Sequence, residues 1–200
     1  SLHDALPISN FAALYGYYLS SPLNWFIGFF PHEYMIEMMN IIILLKLALA
    51  SVAFTYYIEK RFKVSNITIS IFGMFYALSG FTAAFSWNLM WFDCVLLLPL
   101  VLLGLERLVN EDKGILYTIT LGLTILSNYY IAIMVCISLV FYFFVLLVTM
   151  PLPEKKTVYL QKIGYFTIFS VLAGAMSAAI LLPELYALGL TASSDISFPK

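Results

Sequence analysis

The residues with side chains able to do chemistry are few, and nearly all of them lie at the ends of long apolar segments. Lys46 is the exception, because it lies near the middle of such a segment. A charge at that depth in a membrane costs about 3 kcal/mol, so we expect Lys46 to face protein or water and to have a partner. Its ammonium group could hold a lipid phosphate or pair with an acid. The alternatives are a purely structural ion pair and a side chain that extends toward an interface.

Asp93 is the second candidate. It belongs to the turn SWNLMWFD, which contains no Lys or Arg, and it begins the next apolar segment. A carboxylate there could act as a base or bind a metal ion, or it could be a solvated acid favoured by a helix dipole. Trp87 and Asn88 extend the same surface and could hold a sugar by its face and its hydroxyls. For Trp87 and Trp91, however, the sequence alone favours an interfacial aromatic belt.

Further polar residues lie in connections that we predict to be on the same side of the membrane as Asp93. His32 and Glu33 precede one segment, and Glu184 follows another. Each alone is a weak signal, but together with Asp93 they would suit a divalent cation or a polar acceptor. We assign no metal ligands. The predicted binding residues are Lys46, Trp87, Asn88, Trp91, Asn128, Tyr129 and Glu184, with Asp93 as the candidate catalytic residue.

Composition predicts that the chain lies in a membrane. Hydrophobic residues make up 62% of it and charged residues 10%, whereas a soluble domain averages about 25% charged residues. The apolar residues form long runs rather than one face of each helix, which predicts an all-α, polytopic transmembrane helix bundle. The net charge of -1 indicates no nucleic-acid partner. Cys94 and Cys136 lie in apolar runs without metal-site spacing, so we interpret them as small buried hydrophobes.

Six apolar runs are predicted to cross the bilayer, at about residues 35–58, 66–85, 91–108, 115–127, 130–150 and 163–182. The fourth is short, and we expect it to form a tight hairpin with the fifth.

Residues 10–31 are aromatic-rich but interrupted, which predicts short interfacial or re-entrant helices. Residues 1–9 lack the features of a signal peptide, and we expect them to be a non-native leader before an internal piece of a longer protein. Gly174 and Ala178, four residues apart, predict a close helix approach.

The charged connections predict the orientation. Apart from Lys46 and the terminal Lys200, every Lys and Arg lies in connections that alternate along the chain with aromatic and acidic ones. Basic loops of membrane proteins face the cytoplasm. We therefore predict that the basic loops are cytoplasmic and that the aromatic and acidic loops are extracytoplasmic.

Five segments together resemble one known family. They are NFAALYGYYLSSPLN, IILLKLALASVAFTYYIEKRF, FYALSGFTAAFSWNLMWFDCVLLLPLVLLGLERL, LSNYYIAIMVCISLVFYF and AAILLPELYAL. The turn SWNLMWFD followed by LPLVLLGLERL is the most specific part. Through these segments the chain resembles the YfhO family of bacterial multipass membrane proteins, from Asn10 to about Leu188.

This resemblance implies a GT-C-type fold in the bacterial cell membrane, with the active site at the extracytoplasmic surface. It implies that a sugar moves from a polyprenyl-phosphate donor to a cell-envelope polymer such as lipoteichoic acid. In such enzymes the acidic catalytic motif lies in the first outer loop. We therefore expect the main catalytic acid in a segment before Asn10, which leaves Asp93 as the candidate within this chain. A divalent cation is the candidate cofactor.

Two other classes of function remain open. A transporter or lipid flippase would also use an intramembrane Lys, broken helices and an aromatic mouth. Apart from Lys46, however, strong polarity is confined to the ends of the predicted spans, which favours a one-sided site over a path through the membrane. A non-catalytic membrane scaffold would tolerate neutral substitutions throughout its outer loops.

Overall fold

The computed structural model describes residues 21–150 and 157–189, and every regular element in this part of the chain is a helix. The predicted all-α class is confirmed. Short 3-10 helices at Pro22–Phe29 and His32–Tyr34 precede the first long helix, and another at Leu89–Trp91 precedes the fourth. The α-helices are α1 (Met35–Phe62), α2 (Ile67–Ala77), α3 (Gly80–Ala84), α4 (Phe92–Glu111), α5 (Ile115–Ser127), α6 (Tyr129–Thr149) and α7 (Thr157–Gly189).

Five helical segments are long and apolar enough to cross a membrane, namely His32–Phe62, Ile67–Ala84, Leu89–Glu111, Tyr129–Thr149 and Thr157–Ala178. The predicted polytopic membrane class is thereby confirmed. Helix α5 is also apolar but has only 13 residues, so at 1.5 Å per residue it covers about 20 Å of a hydrocarbon layer about 30 Å thick.

Two predicted spans differ from the observed helices. The second contains both α2 and α3, because the backbone of Ser79 is extended and begins a new helix there. The sixth belongs to the longer helix α7. The interrupted segment before α1 forms 3-10 helices where it is described, in agreement with short helices rather than a span. Residues 1–9, the predicted leader, and residues 10–20 lie outside the described part.

Helix α4 is the central element of the bundle. In the most apolar 18-residue stretch of its segment, 61% of the residues are buried inside the protein. The same share is 22% for the segment that contains α1 and 11% for the segment that contains α7. It packs against α1, α5, α6 and α7. Large hydrophobic side chains remain exposed on the outer helices, as a lipid solvent requires. Residues at the centre of the core include Val101, Leu105, Tyr117, Leu121, Leu139 and Ala173.

Close packing of α4 against α5 depends on Gly104. A Cβ atom at this position would lie 2.6 Å from both Cα and N of Tyr117, a separation that real Cβ atoms do not reach. Small residues let membrane helices approach in this way. The close approach predicted at Gly174 is absent from the described residues, because a Cβ added there meets no atom within 4 Å.

Helix α4 also contains Pro99 in its interior. Proline has no N–H, so the carbonyl of Val95, four residues earlier, loses its helical donor. The hydroxyl of Tyr76 in α2 donates to this carbonyl at 2.7 Å. Because an unsatisfied backbone group in hydrocarbon costs several kcal/mol, Tyr76 makes the proline tolerable and fixes α2 against α4.

The two ends of the bundle carry different side chains. Arg61 of α1 pairs with Glu106 of α4 at 3.3 Å, and Lys162 of α7 pairs with Asp112 at the end of α4 at 2.7 Å. These ion pairs bring the charged connections together at one end. We call it the basic end, which carries Lys60, Arg61, Lys63, Arg107, Lys113 and Lys162. The opposite end, with residues 85–91 and the 3-10 helix Pro22–Phe29, is the aromatic end.

Candidate functional site

The site is centred on the side chain of Lys46, which is completely buried in α1. Its Nζ lies 2.6 Å from Oδ2 of Asp93 and 2.7 Å from Oδ1 of Asn24. Nζ also donates to the backbone carbonyl of Leu89 at 3.1 Å, and Oγ of Ser21 is 3.5 Å away. One ammonium group therefore joins α1 to α4, to the turn before α4 and to the 3-10 helix before α1.

Helix geometry explains why the two charges meet. Ile42, Lys46 and Ala50 are four residues apart and all buried, so they share the face of α1 that contacts α4. Asp93 lies in the first turn of α4, where the helix dipole favours a negative charge. The expectation that Lys46 has a partner is confirmed. Asp93 is only 3% exposed, so the alternative of a solvated acid is wrong.

An apolar cavity of about 620 Å³ lies beside this ion pair at the aromatic end. Asn24 and Leu89 line the cavity and also contact Nζ of Lys46. A single layer of residues therefore separates the cation from the cavity. Its volume lies in the range of about 300–1,000 Å³ typical of small-molecule sites. The other lining residues are Trp25, Ile27, Gly28, Met35, Met39, Trp87 and Met90.

Of the predicted binding residues, Trp87 contributes directly to this cavity, with 71% of its surface exposed. Lys46 lies one layer behind it. Asn88 is half-buried and does not line the cavity, and its backbone carbonyl accepts the N–H of Trp91 at 2.9 Å. Asn88 therefore shapes the turn that presents Trp87.

Trp91 belongs to an aromatic cluster beside the cavity rather than to the cavity lining. Its ring lies 5.2 Å from Phe85 and 6.3 Å from both Phe81 and Tyr130, measured between centroids. Its indole Nε1 is buried and has no acceptor among the described residues. Trp87 extends this cluster toward the cavity through its contact with Phe85 at 6.0 Å.

Asn128 acts mainly as a helix cap. It is fully buried, and its Oδ1 accepts the N–H of Ile131 at 3.0 Å, at the start of α6. Its Nδ2 has no acceptor within the described chain. Tyr129 follows it as a half-buried residue in the first turn of α6. The backbone of Glu184 belongs to α7, and its side chain is outside the described part.

The acid-bearing surface predicted to suit a divalent cation does not form a cluster where its side chains are described, and the side chain of Glu184 lies outside that part. Among residues 21–150 and 157–189, no group of three or more His, Cys, Asp or Glu side chains could hold a metal ion. His32 and Glu33 are exposed in their 3-10 helix. Asp93 is engaged with Lys46 instead.

Sequence reasoning missed three of the four groups around Lys46, namely Ser21, Asn24 and the backbone carbonyl of Leu89. Ser21 and Asn24 interrupt the aromatic segment 10–31, yet they are 1% and 6% exposed, and their side-chain oxygens lie 3.5 Å and 2.7 Å from Nζ of Lys46. A usable signal is that this uncharged segment directly precedes the apolar segment of Lys46. Its polar side chains are natural partners for a buried charge. The methionines of the cavity carried no such signal.

Fold and site together define a polytopic membrane protein with a buried ion pair beneath an apolar cavity at one end of its helix bundle. The chain belongs to the YfhO family, described as bacterial membrane protein YfhO, whose family model matches residues 9–198. No curated protein and no solved structure is detectably similar to it.

Proposed function

We propose that this protein is a membrane glycosyltransferase of the GT-C type, which moves a sugar from a polyprenyl-phosphate donor to a cell-envelope polymer such as lipoteichoic acid. The observation that carries the proposal is the apolar cavity at the aromatic end, whose lining residues Asn24 and Leu89 also hold the ammonium group of Lys46. A lipid-linked sugar phosphate needs an apolar surface beside a cation.

Each part of the donor has a chemically suitable counterpart. The methionines and other apolar side chains of the cavity suit an isoprenoid chain, because Met adapts to irregular shapes. The exposed ring of Trp87 offers a face for a sugar. Lys46 offers the charge for the phosphate once the phosphate replaces Asn24 or Leu89 as a partner of Nζ. In a site without water, this charge acts far more strongly than in solution.

The transfer step is a displacement at the anomeric carbon. A hydroxyl of the acceptor forms the new glycosidic bond while the bond from that carbon to the phosphate oxygen breaks. The polyprenyl phosphate leaves with the electron pair of the broken bond, and Lys46 stabilises its charge. The proton of the acceptor passes to a carboxylate. Asp93 is the candidate in this chain, because its Oδ2 lies 2.6 Å from Nζ of Lys46.

The proposed reaction takes place on the extracytoplasmic side. No Lys or Arg occurs from residue 66 to residue 106, a range that includes the turn at the aromatic end. The positive-inside rule assigns a connection without basic residues to the outer surface. Lipid-linked sugars and envelope polymers meet there.

Gly28 provides a direct test, because it lines the cavity and a Cβ atom added at this position meets no atom of the described residues within 4 Å. Gly28→Leu should fill part of the cavity without a clash. We expect membranes that contain the full-length protein to incorporate sugar from polyprenyl-phosphate sugar into lipoteichoic acid, and Gly28→Leu to slow incorporation at least about tenfold, which corresponds to 1.4 kcal/mol.

The matched control is Gly164→Leu in α7, where an added Cβ also meets no atom of the described residues within 4 Å and which does not line this cavity. It should transfer sugar at the parental rate. Equal rates for both variants and the parent would remove the cavity from the reaction. Absence of incorporation by the folded parent would refute the proposed activity.

A further inference from the structure

A second pocket, polar and of about 360 Å³, lies at the basic end between the last turns of α1 and α4. It is far along both helices from Lys46 and Asp93, and the proposed transfer reaction does not use it. Its charged lining contains two more cations than carboxylates. The lining residues are Lys60, Arg61, Lys63, Leu103, Glu106, Arg107, Asn110 and Glu111.

Both carboxylates of this pocket already have partners. Oε1 of Glu106 accepts hydroxyl hydrogen bonds from Tyr57 at 2.9 Å and Tyr142 at 2.5 Å, and Oε2 pairs with Arg61 at 3.3 Å. Glu111 pairs with Lys113 at 3.0 Å. The negative charge of the lining is therefore largely compensated.

Three of the four cations, in contrast, have no carboxylate partner among the described residues. Lys60, Lys63 and Arg107 form no ion pair within 4.0 Å with any carboxylate in residues 21–150 and 157–189. Arg61 is held at the pocket by the buried Glu106, yet its side chain is 40% exposed. A guanidinium has five N–H donors, so Arg61 keeps several of them for a ligand.

We propose that this pocket binds a phosphate-bearing anion at the headgroup level of the membrane. Arg and Lys together match phosphate, since Arg bonds it in a bidentate manner and Lys adds a point charge. The helices that form the pocket end at Phe62 and Glu111, where spanning helices meet the headgroup layer. Basic pockets between membrane helices bind anionic lipid headgroups in this position.

The test uses the full-length purified protein and the variant Lys63→Gln/Arg107→Gln. Phosphatidylglycerol, phosphatidylcholine and inorganic phosphate are added separately, and bound lipid or phosphate is measured by native mass spectrometry and by equilibrium binding at low salt. Each cation near an anionic headgroup contributes about a fivefold factor. The double variant should therefore bind about 25-fold more weakly.

Lys155→Gln/Lys156→Gln is the matched control, because it removes the same number of charges from the connection between α6 and α7, outside the segments 60–63 and 103–111 that line the pocket. The parent and Lys63→Gln/Arg107→Gln should unfold at similar temperatures, since Lys63 is exposed and Arg107 is half-buried. Selective phosphatidylglycerol binding that Lys63→Gln/Arg107→Gln loses and the control keeps would support a lipid as the source of the phosphate. Inorganic phosphate binding with the same sensitivity would support a soluble phosphate.

Two results would overturn the proposal. One is binding of phosphatidylglycerol no tighter than phosphatidylcholine, together with no bound inorganic phosphate. The other is an equal loss in Lys155→Gln/Lys156→Gln, which would show that general surface charge, rather than this pocket, attracts the anion.

Discussion

At the scale of single residues, the ammonium group of Lys46 is the point where four parts of the chain meet. It contacts Asp93, Asn24, Leu89 and Ser21. Water does not solvate its charge, because its side chain is 0% exposed. Its position in the protein therefore depends on these oxygen atoms. The same contacts hold the helices together and place a cation beside the cavity.

The structural contribution of the pair can be measured separately. Lys46→Met and Asp93→Asn should each destabilise the protein by about 3–5 kcal/mol, because each leaves a buried charge without its counter-ion. The double variant Lys46→Met/Asp93→Asn should recover most of this loss, because neither charge remains. Thermal unfolding in detergent gives the ranking. Losses that simply add in the double variant would mean that the two charges do not interact.

Lys46 and Asp93 could be identified from the sequence because a charge in an apolar segment must find a partner. Their pairing could not, since it depends on which faces of α1 and α4 meet. Asn128 was predicted to bind a ligand, and its observed contact is a cap of α6. Capping and ligand binding use the same amide, so the sequence does not distinguish them.

At the scale of elements, α4 combines a proline, a close glycine contact and the acid of the ion pair. Its bounds, Phe92–Glu111, lie near the predicted span at 91–108, and α5 at Ile115–Ser127 agrees with 115–127. Apolar length and flanking polar residues define such helices. The break between α2 and α3 was missed because Leu78 and Ser79 do not interrupt the apolar composition strongly enough to predict it.

The hydrogen bond from Tyr76 to the carbonyl of Val95 gives a prediction at this scale. Tyr76→Phe should cost about 1–3 kcal/mol, because it leaves a buried carbonyl without a donor. Pro99→Ala restores an N–H that can donate to Val95 within α4. In the Pro99→Ala background, Tyr76→Phe should therefore cost clearly less. An identical cost in both backgrounds would show that Tyr76 does not compensate for the proline.

At the scale of the whole molecule, the alternation of basic and aromatic connections predicts a fixed orientation in the membrane. Ser86 at the aromatic end and Lys113 at the basic end are both exposed. With Cys94 and Cys136 replaced by Ala, we expect Ser86→Cys to react with a membrane-impermeant maleimide on intact cells. Lys113→Cys should react only after permeabilisation. The reverse pattern would place the cavity and the proposed reaction on the cytoplasmic side.

The helix bundle as a class followed from composition, because only a lipid solvent accommodates 62% hydrophobic residues in long runs. The cavity did not follow. Its walls come from the 3-10 helix Pro22–Phe29, from α1 and from the turn before α4, and only the packing of these three elements creates it. Trp87 of the aromatic turn, a predicted binding residue, lines the cavity, whereas Trp25, Met35 and Met39 also line it and were not predicted.

The central claim is that the Lys46–Asp93 pair takes part in sugar transfer as well as in folding. The decisive measurement is incorporation of sugar from polyprenyl-phosphate sugar into lipoteichoic acid by the full-length Lys46→Met/Asp93→Asn variant, once its thermal unfolding shows that it is folded. We predict a loss of at least about 100-fold, the effect of removing one preorganised group that stabilises developing charge. Transfer at the parental rate by this folded variant would contradict the claim and leave the pair a purely structural role.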